Sequence, residues 1–175
     1  IIESLVKGTV TFNDAEEYIK ILKEFPDDPR LNRLFADFLK KNKSFIDANL
    51  EYRKAFRLFM ETGDTLQAIT SLLHSWENVS PSDHDFRSLH SQLRRKKFHN
   101  SAAAECFAKM SYLELKAFVI KLEPVQFADG EIVQEVADPE DALYFVISGE
   151  LVKVLPEGKN DDLQEVIIRE NDQFG

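Results

Sequence analysis

The chain has 175 residues, 43% of them hydrophobic and 30% charged, which suits a globular protein of one domain or two small ones. Its single cysteine, Cys106, excludes an intrachain disulfide and a cysteine-rich zinc site and fits a reducing, cytoplasmic setting, and no apolar run approaches the ~18 residues of a membrane span. The net charge of −9 is unevenly spread, with 16 acidic and 6 basic side chains in residues 101–175 against 15 and 16 in residues 1–100, so the acidic part argues against nucleic acid as a partner.

Ala15, Tyr18, Ile19, Leu22 and Phe25 recur at helical spacing, with Asn13 or Asp14 as cap, and Pro26 and Pro29 end the run. Leu31, Leu34, Phe35, Phe38 and Leu39 predict a second helix, whose C-terminal end carries Lys40, Lys41 and Lys43. Ala48, Tyr52, Ala55, Phe56, Phe59 and Met60 predict a third, stopped at Gly63. Leu66, Ile69, Leu73 and Trp76 predict a fourth, capped by Asp64 or Thr65, and Phe86, Leu89, His90 and Leu93 a fifth. Short amphipathic helices joined by brief turns predict an antiparallel stack. Phe35, Ala36 and Leu39, then Ala48, Tyr52 and Ala55, fall at the spacing of the inward positions of a tetratricopeptide repeat, which this segment resembles, with Asn32 where that motif carries tryptophan. An unrelated helical bundle is the alternative; a solenoid offers a concave binding face, whereas a bundle buries both faces.

Residues 102–122 continue as helix. Ala103, Cys106, Phe107 and Met110 share one face, which predicts a buried, inert Cys106. Ser111 with Glu114 is a capping-box signal ahead of Leu115, Phe118, Val119 and Leu122. After Pro124 the period shortens toward two. Val125 to Phe127, Glu131 to Val136, Ala142 to Ser148, Leu151 to Leu155 and Leu163 to Arg169 predict strands, separated by Asp129-Gly130, by Asp138 to Asp141, by Gly149 and by Pro156 to Asp162. Many short strands with polar turns predict an antiparallel roll or barrel.

Gly130-Glu131-Ile132-Val133, then Leu143-Tyr144-Phe145-Val146-Ile147-Ser148-Gly149, then Asp172-Gln173-Phe174-Gly175 give the segment from Leu113 to Gly175 a resemblance to the first half of a cyclic-nucleotide-binding domain. Val136-Ala137 stands where that family often has Glu-Gly, and Asn171 replaces its usual glycine. The resemblance implies a fold signature at Gly130, Glu131, Tyr144, Phe145, Gly149, Phe174 and Gly175, and cAMP or cGMP as ligand. The family's phosphate-binding cassette would follow Gly175, and the Ile1 start and Gly175 stop read as cuts from a longer polypeptide. Val133 and Val154 are the two residues here with a claim to face the base, and core packing is the competing role for both.

The combined expectation is an α+β chain. Residues 1–100 form an antiparallel, tetratricopeptide-like helical module, and residues 101–175 form a partial antiparallel β-roll or jelly roll. The function this implies is non-catalytic: a cyclic-nucleotide sensor passing ligand state to a helical interaction module that binds protein. The alternatives are an interaction scaffold whose roll has lost its nucleotide, or a transcription regulator whose DNA-binding domain lies elsewhere. His74, His84, His90 and His99 lack partners at metal-ligand spacing, and no nucleophile or phosphate-loop motif is present, so no catalytic or metal residue is assigned. Arg94 to Lys97 is the one compact basic run, read as a solvated helix end.

Overall fold

Short polar side chains set the helix starts, where backbone N–H groups lack a partner within the helix. Asp14 accepts a hydrogen bond from Glu17 N at 2.9 Å and opens α2 (Ala15–Glu24), after a short α1 (Ile2–Val6) that the apolar pattern does not announce. Asp28 does the same for α3 (Pro29–Lys41), accepting from Leu31 N at 3.0 Å, with Pro29 in the first turn. α4 (Phe45–Thr62) ends at Gly63, whose φ of 93° is the left-handed conformation that glycine adopts without strain. α5 (Thr65–Trp76) and α6 (Asp83–Arg95) follow, then α7 (Ala102–Lys109) capped by Ser101 and α8 (Tyr112–Val119). At α8 the capping box is complete: the Ser111 hydroxyl accepts from Glu114 N, and the Glu114 carboxylate accepts from Ser111 N at 2.8 Å. The structure, a computed structural model, describes residues 1–77, 79–95, 100–135, 142–157 and 162–175.

α4 to α8 pack as a bundle in which α5 is the most deeply buried helix. Leu66, Ala68, Ile69, Thr70, Ser71, Leu72, Ser75 and Trp76 are all buried, so α5 is covered on nearly every side. Its buried hydroxyls turn back on their own helix: Thr70 donates to Leu66 O at 2.9 Å, Ser71 to Gln67 O at 2.9 Å and Ser75 to Leu72 O at 2.7 Å. One continuous core joins Ala55, Phe56, Phe59 and Met60 of α4 to Leu89 and Leu93 of α6, Phe107 of α7, and Leu115 and Val119 of α8. A smaller cluster of Leu5, Tyr18, Ile21, Leu31 and Phe35 binds α1 and α2 to α3, with the Tyr18 and Phe35 rings stacked at 5.4 Å.

This geometry corrects the tetratricopeptide expectation. Ala36, Ala48 and Tyr52 do pack together between α3 and α4, as the spacing requires. The next helix does not begin a second repeat stacked on the first; α5 becomes the most deeply buried helix of a bundle and leaves no one-sided solenoid. Asn32, at the missing tryptophan position, is buried and donates to Pro26 O at 3.1 Å and Asp28 O at 2.7 Å, which ties down the turn between α2 and α3.

The β-roll expectation is corrected more deeply. Among the described residues the strands form two separate two-stranded antiparallel sheets. β1 (Tyr144–Phe145) pairs with β4 (Gln173–Phe174), and β2 (Glu150–Glu157) pairs with β3 (Asp162–Arg169) in a hairpin register that sets Val152 opposite Ile167. Residues 125–127 and 131–135 join no sheet, and Val136 and the Asp138 to Asp141 turn lie outside the described residues. The physical reason is burial. An alternating strand is held in a roll by a second layer that covers its apolar face. Val125, Phe127, Ile132 and Leu143 are exposed, so their pattern meets no such layer. What holds the strand region in place is the helical core: Phe145 and Ile147 pack against it, and Gln67 of α5 donates to Ile147 O at 2.5 Å. The chain is therefore a mostly helical bundle with two small open sheets.

Candidate functional site

Three constellations bring chemistry-bearing side chains together. The first lies where α3, α4 and α5 meet. The buried Tyr52 donates to Asp37 Oδ1 at 2.5 Å and stacks on the His74 ring at 5.3 Å. His74 Nδ1 lies 2.5 Å from Glu77 Oε1, and Lys40 pairs with the other Glu77 oxygen. Burial, then the Asp37 charge, pushes the Tyr52 phenol far above its usual range, so it stays a proton-bearing donor rather than a base. The cavity that Lys40, Phe45, Ala48, Asn49, Tyr52, His74 and Ser75 enclose measures about 10 Å³. That is room for about one water, so the network acts as a polar clasp between helices rather than as a substrate site.

The second runs along α7 and α8. Cys106, Lys109, Met110, Glu114, Ala117, Phe118 and Lys121 line an open groove of about 610 Å³. Met110, Ala117 and Phe118 make its walls apolar, and an outward stripe of α8 runs beside it. Leu115 and Val119 face the core at 1% and 0% exposure, while Leu113 and Ile120 point outward at 73% and 61%. With the exposed Ala117 they form an outward stripe at i, i+4 and i+7. α8 is thus apolar on two opposite sides, a pattern that belongs to a helix with neighbours on both. Behind the groove Phe107, Phe118 and Phe145 meet at centroid distances of 5.1 to 6.4 Å, which stiffens its floor. Among the described residues neither Lys109 nor Lys121 has an ion-pair partner. Cys106 is exposed on the groove rather than buried, because α7 turns Ala103 and Phe107 inward and sets Cys106 to one side.

The other end of α8 is fixed by an exposed cluster. Asp83 accepts hydrogen bonds from Tyr112 Oη, from Lys116 Nζ at 2.9 Å and from Arg87 Nε at 2.8 Å. Those three bonds hold its carboxyl well below the usual carboxylate range. The Arg87 guanidinium lies 4.7 Å from the Tyr112 ring centroid.

The residues singled out by the sequence are scattered. Gly130 turns the chain at φ 75°, and Glu131 accepts from Ala128 N at 2.7 Å within that turn. Val133 is half-buried in an irregular segment, and Val154 is exposed on β2; neither lines the α7–α8 groove. Tyr144 stacks on Phe174 at 4.9 Å, Gly149 turns at φ 84°, and a side chain added at Gly175 would meet Ala142 O at 2.3 Å. Phe145 serves the helical core. Arg94 and Arg95 are exposed at the end of α6, while Lys96, Lys97 and His99 lie outside the described residues. Among the described residues no group of three or more His, Cys, Asp or Glu side chains is placed to hold a metal ion, and no helix is long and apolar enough to cross a membrane. Sequence reading missed this surface, although Leu113, Ala117 and Ile120 on the far side of the Leu115–Val119 face were the visible signal of the stripe beside the groove, which Ala117 alone of the three lines.

Comparison with protein-family models, with curated proteins and with solved structures returned no match. The resemblance to a cyclic-nucleotide-binding domain is accordingly withdrawn, and with it the nucleotide sensor, cAMP or cGMP as ligand, and the scaffold and transcription-regulator variants built on the same roll. Among the described residues the two small open sheets enclose no cup for a nucleotide, and no tetratricopeptide array supplies the partner face expected of residues 1–100.

Proposed function

We propose that the chain is a non-catalytic docking module whose working surface is the outward face of α8 with the groove beside it. The observation that carries this reading is the double-sided apolar character of α8, with Leu113 and Ile120 as exposed as they are while Leu115 and Val119 are fully buried. A helix covered on one side only leaves an apolar stripe in water, and a groove of this kind is where a second helix lays its own apolar face. Ile46 and Leu50 of α4 are also exposed, but the α4 residues beside them line only the small cavity of about 10 Å³, whereas Ala117 joins the α8 stripe to the open groove. The buried polar network around Tyr52 encloses too little space for a substrate, which favours binding over turnover. A reducing, cytoplasmic setting belongs to the same reading, since the free thiol of Cys106 stands exposed on the groove.

The test is binding of an anionic apolar dye such as anilinonaphthalene sulfonate, whose rings suit the stripe and whose charge suits Lys109 and Lys121. The wild-type chain enhances its fluorescence, and Leu113→Gln/Ile120→Gln removes at least half of that signal while circular dichroism and melting temperature hold. An unchanged dye signal in a folded double variant refutes the docking surface.

A further inference from the structure

Resting on the docking reading of α8, we propose that the occupant of this surface is the α8 of a second copy of the chain, packed antiparallel about a two-fold axis through Ala117. The argument is self-complementarity. Leu113, Ala117 and Ile120 lie along one line of the helix, with the small residue in the middle. Reversing an identical helix against that line sets Leu113 of one copy beside the C-terminal end of the other stripe, at Ile120. Ala117 meets Ala117, where the absence of bulk lets the two axes approach closely.

Charge fits the same operation. Glu114 and Lys121 stand seven positions apart, on the same flank of the stripe, and both line the groove. An antiparallel pair brings like flanks together, so Glu114 of each copy meets Lys121 of the other, and the two-fold axis makes the contact twice. Each side chain keeps a charged atom for the second copy. Lys121 has no ion pair among the described residues, and Glu114 uses one oxygen, Oε2, to accept from Ser111 N at 2.8 Å, leaving Oε1 for the second copy. Lys116, on the opposite flank, is already held by Asp83 at 2.9 Å, so charge directs the pairing to the groove side. A short helix and the end of α7 make a contact at the small end of specific interfaces, so the dimer is weak and depends on concentration.

Sedimentation equilibrium of the whole chain from about 10 μM to about 1 mM reads this association directly. In a Cys106→Ser background, Ala117→Cys forms a disulfide-linked dimer under mild oxidation, and Glu24→Cys, exposed on α2, does not. Lys121→Glu weakens association about tenfold, and Glu114→Lys/Lys121→Glu recovers it relative to either single variant. A chain that stays monomeric at the highest concentration, with Ala117→Cys linking no faster than Glu24→Cys, overturns the second copy as occupant. If dye binding still depends on Leu113 and Ile120 in that case, the docking surface stands and serves a different partner. If dye binding is indifferent to them as well, both readings fall.

Discussion

Replacing Tyr52 by phenylalanine isolates one hydrogen bond in a buried setting. The ring is fully buried on α4, stacks on His74, and spends its hydroxyl on Asp37 Oδ1 at 2.5 Å. Phenylalanine keeps the ring and its packing, so the change removes only the donor. A hydrogen bond to a charged acceptor contributes about 1.5–3 kcal/mol. Asp37 is exposed and is rehydrated once the phenol is gone, which places the cost near 1.5 kcal/mol. For a chain of this length that corresponds to a melting temperature lower by about 3–6 °C. The pH dependence carries a second signature. Because the Tyr52 phenol is raised above its ordinary value of 10.0, its stabilising contribution is complete below that pH and is lost as pH rises further, when the unfolded chain ionises and the folded one does not. Denaturant titrations from pH 8 to pH 11 therefore show wild-type stability falling more steeply above pH 10 than that of Tyr52→Phe. Equal stabilities at pH 7, within about 0.3 kcal/mol, would refute the view that this bond joins α3 to α4.

Ser111→Ala removes half of the capping box at α8 and costs about 1 kcal/mol, with faster amide exchange confined to residues 112–115 as its local mark. Leu89→Ala empties a fully buried site at the centre of the core and costs about 2–5 kcal/mol in chemical denaturation. Glu51 is half-buried with one oxygen lacking a partner, and burial raises its carboxyl above the usual range, so its charge opposes folding at neutral pH; Glu51→Gln raises the melting temperature at pH 7 and loses that advantage at pH 4. Asp83 is shifted the other way, so its contribution is present above the ordinary carboxylate range and is lost as pH falls through its depressed value. Asp83→Asn flattens the acid limb of the stability profile below pH 4.

The helices were legible because their signals are local. Asp14, Gly63 and the Ser111–Glu114 pair act within four residues of themselves, and each does in the fold what its spacing announces. The helical stripes also named the core correctly at Tyr52, Phe59, Leu89 and Leu93. Architecture was less legible. The inward positions of α3 and α4 suit a repeat as well as a bundle, and the difference rests on α5, whose buried Thr70, Ser71 and Ser75 look polar in sequence and become buried by bonding to their own helix. Cys106 failed for a related reason. Four positions at helical spacing span a wide arc, and α7 turns only part of that arc inward.

The strand region shows why alternation is a weaker guide than helical periodicity. A period of two states that a segment is extended and that one side is apolar; it does not state which strand pairs with which. Tyr144 and Phe145 find partners nearly thirty residues away in Phe174 and Gln173, while the 150–157 and 162–169 strands pair with each other through the short connection between them. The glycines at 130 and 149 make the turns their positions require, yet a turn is equally at home in a roll and in an isolated hairpin. The specific contacts that locate this region are made to helices, by Phe145 against Phe107 and Phe118 and by Gln67 on Ile147 O. Phe118 thereby serves two masters: its ring supports β1 from behind and floors the α8 groove in front. The proposed occupant of that groove would press on the same ring that holds β1, so slower amide exchange at residues 144–147 on association is the expected mark of a link through Phe118, and unchanged exchange there would refute it.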